Sequence, residues 1–246
     1  MSRFLKYATG ALLAVVSSSV FAASGWFGDI GADVDFSTTG DTQTLSLITP
    51  PSSPVSNTYS ANNAFNTALG GTAGLGYELD PWSLLQFAFS EDFTYVNYDA
   101  VGGIEYPLSN LINTGNTLAY TYNASSYVLL TDAKLLFGSW SLRPFAIGGV
   151  GVAWNELSNF SETLRTGTAS SIPVPFADNT SSANLAYTVG GGLNYTISKN
   201  FGCALTYRYI NAGNGELGTI PTQTTTARLQ SGTLSANLIE VSLSFM

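Results

Sequence analysis

The stretch Phe201-Gly-Cys-Ala-Leu-Thr-Tyr-Arg-Tyr209 decides the fold. Phe201, Cys203, Leu205, Tyr207 and Tyr209 share one parity, and Gly202, Ala204, Thr206 and Arg208 the other. A two-residue period predicts a β-strand. Its faces are unusual: one is apolar and aromatic, the other small and polar with a charge. Immediately upstream, Leu185, Tyr187, Val189, Leu193, Tyr195 and Ile197 alternate with Ala186, Thr188, Gly190, Gly192, Asn194 and Thr196. Only Ser198-Lys199-Asn200 separates the runs, so they form a tight hairpin.

The pattern recurs along the chain. Strands are expected over about Trp26–Phe36, Leu69–Leu79, Leu85–Tyr95, Tyr127–Phe137, Leu142–Trp154 and Thr233–Phe245. In the run Ala146-Ile-Gly-Gly-Val-Gly-Val152 the glycines blur the alternation and leave the facing open. Three connections are tight, at Asp80-Pro81, Gly138-Ser139 and Ser198-Lys199-Asn200. Four are long, about 37–66, 96–121, 157–182 and 211–232, and rich in Ser, Thr, Asn, Gly and Pro, as loops are. Eight strands with short turns at one end and long loops at the other predict an all-β, transmembrane, up-and-down antiparallel β-barrel in the bacterial outer membrane. Closure leaves no unpaired backbone edge in hydrocarbon. The competing architecture is a periplasmic β-sandwich or lipocalin-like carrier, whose outward face would be polar. Ten strands, with a hairpin hidden in a long loop, is a variant of the barrel.

Composition agrees with strands in a membrane. Charged residues are 10% of the chain, well below the usual ~25%, while 25 Gly, 13 Tyr and 14 Phe are present. At the start, Arg3 and Lys6 precede an apolar run from Tyr7 to about Val16 and the small-residue stretch Ser17–Ala22. Val20 and Ala22 suit a signal-peptidase site, which assigns 1–22 to a signal peptide and 23–246 to the barrel domain. The run is shorter than the roughly 20 residues of a spanning helix. The formal net charge of −8 disfavours nucleic acid, whose phosphates are bound by Lys and Arg. Scarce basic residues in the loops disfavour heparin-like ligands on the same ground. Cys203 is the one cysteine, so no intrachain disulfide can form. It is read as a lipid-facing residue near the turn end.

The inward parity carries Asp29, Asp33, Asp35, Glu78, Asp92, Asp132, Lys134, Arg143, Arg208 and Glu240. An eight-stranded barrel is only wide enough for its own side chains. These groups therefore read first as a charge network filling the lumen, and second as the lining of a cation-preferring pore. Glu91 falls on the outward parity and is expected at the outer headgroup level. Trp26, Tyr77, Trp82, Tyr95, Tyr127, Trp154, Tyr195 and Tyr209 lie near expected strand ends and suit interfacial girdles. The sequence contains no His. That disfavours the acid–base and nucleophile-activating chemistry of membrane-barrel enzymes and removes the commonest metal ligand, so neither enzyme nor cofactor is expected.

At the C-terminus Ile239, Val241, Leu243 and Phe245 share the outward parity, and Met246 follows. This resembles the terminal signal read by the outer-membrane assembly machinery, except that the aromatic is penultimate. Arg143-Pro144-Phe145-Ala-Ile-Gly-Gly-Val-Gly-Val152 resembles the Pro-aromatic-Gly-rich fifth strand of the small outer-membrane barrels, the opacity-like surface antigens and barrels similar to OmpA and OmpX. Gly190 to Tyr209 resembles their sixth-to-seventh-strand hairpin. The resemblance covers essentially the whole chain after the signal. It implies a barrel held among outer-membrane lipids, expected to be a monomer. It further implies a structural, adhesive or surface-recognition role, with host or surface ligands at the loops. The alternative is a small porin-like channel for ions or small solutes.

Overall fold

The computed structural model describes residues 25–47, 55–62, 65–79, 84–107, 115–138, 141–167, 176–181, 183–198, 200–220 and 227–246. The signal segment, Asp80-Pro81, Trp82, Ser139 and Lys199 lie outside them.

Eight long strands close a ring: β1 (Trp26–Thr38), β4 (Phe65–Glu78), β5 (Leu85–Tyr106), β6 (Thr117–Phe137), β7 (Leu142–Thr166), β9 (Asn184–Thr196), β10 (Phe201–Glu216) and β11 (Gln230–Phe245). Each pairs antiparallel with its neighbours, and β11 returns to β1 in register from Gly28↔Phe245 to Ser37↔Ala236. The tight connections and the ends of β1 and β11 share one end of the ring, called here the lower end. Three short strands lie outside it. The hairpin β2 (Gln43–Leu47) and β3 (Val55–Ala61) stands on the upper end of β5, pairing Thr58↔Tyr106 to Ala61↔Gly103, and β8 (Asn179–Thr180) pairs with β7. The first long connection thus does conceal a hairpin, but it adds to the wall above the ring and leaves the ring at eight.

The described strands run well beyond their expected ends. A membrane crossing takes about 9–11 residues, whereas β5, β6 and β7 have 22, 21 and 25. Much of what composition marked as loop over 96–121 and 157–182 is therefore paired strand. Three irregularities in register bend this upper wall, two of them at residues of positive φ, Asp99 (φ 58°) and Asn159 (φ 57°). Both are of types that tolerate the left-handed region. The Asp99 amide is held by Asn97 Oδ1 at 2.9 Å and the Asn159 amide by Asp178 Oδ1 at 2.8 Å.

Along the five strands β5, β6, β7, β10 and β11 the apolar parity inverts, with the facing pairs still in register at the level of the inversion. On β6, Tyr127, Leu129, Leu135 and Phe137 point outward below. Above Tyr127 the outward residues are Ser125, Asn123 and Thr121, and Tyr122, Tyr120 and Leu118 turn inward and are buried. The same inversion occurs above Tyr95 on β5, Trp154 on β7, Tyr209 on β10 and Ile239 on β11. Below that level the exterior is apolar, as Leu69 (74% exposed) and Leu185 (77% exposed) show. Above it the exterior is mainly polar, with Phe65, Tyr106 and Leu164 as exposed exceptions. Water wants polar atoms and lipid wants apolar ones, so the inversion marks the upper edge of the membrane. Tyr95, Tyr127, Trp154 and Tyr209 stand at this edge as the upper girdle, and Trp26, Tyr77 and Tyr195 stand near the lower. The glycine-rich run of β7 also resolves: Ala146, Gly148, Val150 and Val152 share the outward parity, while Phe145 and Ile147 are buried inward.

Candidate functional site

The lumen is filled in three layers. At the lower end Phe27, Ala88, Leu136, Phe145 and Ile147 form an apolar floor. Beside it Arg143 donates to Glu78 Oε1 at 3.2 Å and to Gln86 Oε1. Lys134 lies 4.9 Å from the centre of the Phe145 ring, a cation–π distance, and makes no ion pair within 4.0 Å among the described residues. The cavity bounded by Asp29, Glu78, Lys134, Asn194 and Ser242 measures about 40 Å³, room for a few waters.

The middle layer is ionic. Arg208, 1% exposed, comes from β10. Its Nη2 reaches Glu240 Oε2 at 2.7 Å and Thr72 Oγ1 at 3.0 Å, and its Nη1 reaches Asp132 Oδ2 at 3.3 Å and Asp92 Oδ2 at 3.5 Å. One guanidinium therefore ties β4, β5, β6, β10 and β11 across the ring. Its planar fork of donors suits several acceptors at once. Asp33 and Asp35, also buried, lie outside this cluster. Asp35 Oδ2 accepts the Asn97 amide at 2.9 Å, and the Asp33 carboxyl lies beside that of Asp35.

Glycines make room for these acids. A Cβ at Gly70 would collide with Asp33 and Asp35, one at Gly74 with Asp92 and Asp29, and one at Gly149 with Asp132. Alternation placed all ten charged residues on the inward parity. It gave no sign of the glycine seats or of Thr72 as a partner, because both depend on cross-strand register.

The upper layer is a correction to the expected lumen. The inward face is not uniformly small and polar. Above the ionic layer Val128, Leu130, Ile210, Leu234 and Leu238 close the ring, and Tyr59, Tyr98, Tyr120, Tyr122 and Phe176 pack over them. The rings of Tyr59 and Tyr120 meet edge-on at 5.4 Å, as do Phe160 and Phe176 at 5.0 Å. Buried in this cap is Glu105, whose Oε1 accepts from Asn57 Nδ2 at 2.6 Å. Burial pushes the Glu105 carboxyl above its usual range. Burial, with Glu105 nearby, pushes the Tyr120 phenol up to about 12.

The expected level of Glu91 is also corrected. It lies outward on β5 between Phe87 and Phe89 below and Phe93 and Tyr95 above, level with Leu75 on β4 and Thr131 on β6. That is the middle of the apolar belt, not its upper edge. Thr131 Oγ1 donates to Glu91 Oε1 at 2.7 Å. Ile239, Val241, Leu243 and Phe245 are outward and exposed on β11, where Val241 pairs with Ala32 and Leu205. Cys203 is free and lies outward beside Tyr195 and Leu243, near the lower end.

A closed antiparallel ring of eight strands, an apolar exterior edged by aromatics and a lumen filled by side chains define a transmembrane β-barrel of the outer-membrane type. No protein-family model matches the chain, and no curated protein matches it. Among solved structures it is similar to neisserial surface protein A, with 11% identity over 91% of this chain and 97% of that one and a TM-score of 0.45. It is also similar to Ail, the attachment invasion locus protein of Yersinia pestis, with 11% identity over 89% and 99% and a TM-score of 0.36. A third is the outer membrane protein AlkL, with 15% identity over 93% and 92% and a TM-score of 0.35.

Proposed function

We propose that the barrel is a structural and surface-display protein rather than a conduit. Its lower end faces the periplasm and its raised wall the exterior, and the terminal strand serves as the assembly signal. The observation that carries this reading is the sequence of layers: an apolar cap lies directly over the Arg208 cluster. An ion entering from above would have to cross packed tyrosine and leucine side chains. One entering from below would meet a floor of Phe and Leu. Among the described residues, what is left to meet partners is the outer polar wall of β5, β6 and β7 with the β2–β3 hairpin, and this is the part to which we assign recognition of a host or surface ligand. No catalytic role is proposed.

The excess of carboxylates over cations in the middle layer favours the second reading, a small cation-selective channel. Conductance and stability measured on the same preparations separate the two. Under the structural reading the protein in planar bilayers shows no steady conductance. Arg208→Ala then lowers unfolding stability by roughly 3–5 kcal/mol, because it strands buried carboxylates. A large, steady conductance whose ion selectivity changes in Arg208→Ala, with stability unchanged, would establish the channel.

A further inference from the structure

The irregularities at Asp99 and Asn159 fall at one height, on either side of β6. Asn97 pairs with Ser125 and Ala100 with Asn123, so β5 carries one extra residue there. Across β6, β7 carries another between Ser158, opposite Asn123, and Ser161, opposite Thr121. Bulges concentrate at barrel rims and beside active sites, where they re-aim side chains. Between these two a recess of about 340 Å³ opens outward over Ser125, whose small side chain lies between Asn97 on β5 and Glu156 on β7. Asp99, Asn123 and Ser158 form its upper rim, and the Asp99 amide is pinned there by Asn97 Oδ1. Tyr95 and Tyr127, their ring centroids 5.3 Å apart, form its sill at the membrane edge.

We propose that this recess binds the ring of an uncharged sugar. The inference rests on the assignment of this wall to recognition and narrows its ligand. A sugar ring presents a C–H face, which packs on aromatic rings, and an edge of hydroxyls, each both donor and acceptor. Tyr95 and Tyr127 supply the aromatic surface. The carboxylates of Asp99 and Glu156 accept, the Asn123 amide offers donors and an acceptor, and the Ser125 and Ser158 hydroxyls serve as either. No Lys or Arg lines the recess among the described residues, so a phosphate or carboxylate would meet two carboxylates and no counter-charge. The two acids do not converge on a cation either. They belong to strands on opposite sides of β6, whose backbones stand ~10 Å apart at the usual strand spacing, and the space between them is what one ring would fill. At headgroup level the ring can belong to a glycolipid beside the barrel or to a soluble oligosaccharide.

Amide chemical shifts of the protein in phosphatidylcholine nanodiscs test it, with heat-modifiable migration confirming that each variant is folded. One arm adds uncharged oligosaccharides of glucose, galactose or mannose at millimolar concentration. The other replaces part of the phosphatidylcholine with monogalactosyl or monoglucosyl diacylglycerol. Asn123 and its neighbours are expected to shift saturably in at least one arm, and the arm that shifts them names the source of the ring. Ser125→Phe, which fills the recess from outside, is expected to abolish the response, and Thr163→Phe, exposed higher on β7, to leave it intact. Silence in both arms overturns the proposal. So does a response that survives Ser125→Phe, or tighter binding of a phosphorylated sugar than of its neutral parent. A barrel that binds no sugar and shows no conductance loses this inference and keeps the structural reading.

Discussion

Gly148 and Gly149 are adjacent and chemically identical, yet the barrel asks opposite things of them. A Cβ on Gly149 would run into the Asp132 carboxylate and the Thr131 carbonyl. A Cβ on Gly148 would point outward, 3.8 Å from the Thr188 carbonyl, an ordinary contact. Gly149→Ala should therefore destabilise by about 1–3 kcal/mol, the range for forcing an atom into a packed interior. Gly148→Ala should be neutral or stabilise by up to about 1 kcal/mol, since it removes freedom from the unfolded chain. Urea unfolding of the two variants in lipid vesicles would read the difference, and equal effects would contradict the assigned facing. The sequence could not decide this pair, because a glycine run has no hydrophobic parity. Charged residues were easier: Arg208 and Glu240 lie among clear alternations, and their facing followed. That Arg208 would gather three acids, and that Asp33 and Asp35 would remain outside its reach, required the register of five strands.

The elements repeat this contrast. Strand order and the facing of the lower halves of every ring strand but β7, whose glycines hide it, were legible from period two alone. The upper halves were not. Val96, Tyr98, Tyr120 and Tyr122 keep the period but invert its meaning, and the Asn, Ser and Thr between them resemble loop. The β2–β3 hairpin was hidden for the same reason, its strands being short and polar outside. That hairpin is tied to the wall through Asn57 and Glu105 at 2.6 Å, and the tie has a pH dependence. Glu105, with its pKa raised by burial, holds its proton more tightly in the folded cap than in the unfolded chain. Its contribution is complete below the ordinary carboxylate range and is lost as pH rises through the raised value. The groups facing it are Asn57 and Tyr59 from β3, Tyr120 from β6 and Glu162 from β7, none of them a cation. Amide hydrogen exchange in β2 and β3 should accordingly quicken as pH rises, beyond the intrinsic base-catalysed increase. Glu105→Gln keeps an acceptor for Asn57 and should abolish the excess. An unchanged pH profile in that variant would show that another group controls the cap.

At the scale of the whole molecule, the ring meets two solvents. Leu205 is exposed within the belt, paired with Val241 and Leu193. Leu205→Arg should cost roughly 2–4 kcal/mol, the penalty for a cation near the bilayer midplane. Asn123→Arg, outward on β6 above the girdle, should cost roughly 0–1 kcal/mol. Similar unfolding midpoints for the two would mean that the parity inversion does not mark the membrane edge.

The same inversion gives the two halves different responses to temperature. The cap over Tyr59, Tyr98 and Tyr120 is held by excluding water from apolar surface, a driving force that weakens on cooling and carries a large heat-capacity change. The lipid-facing strands bury little from water, because the acyl chains beside them are already apolar, and their cohesion is backbone pairing and packing. Chilling should therefore loosen the exposed end of the barrel while the embedded ring remains intact. The expected signature is hydrogen exchange that accelerates, relative to the intrinsic rate, at Tyr98 and Tyr120 but not at Leu205 as the sample approaches freezing. A uniform response along β5, β6 and β10 would mean that a single kind of cohesion runs the full height of the molecule.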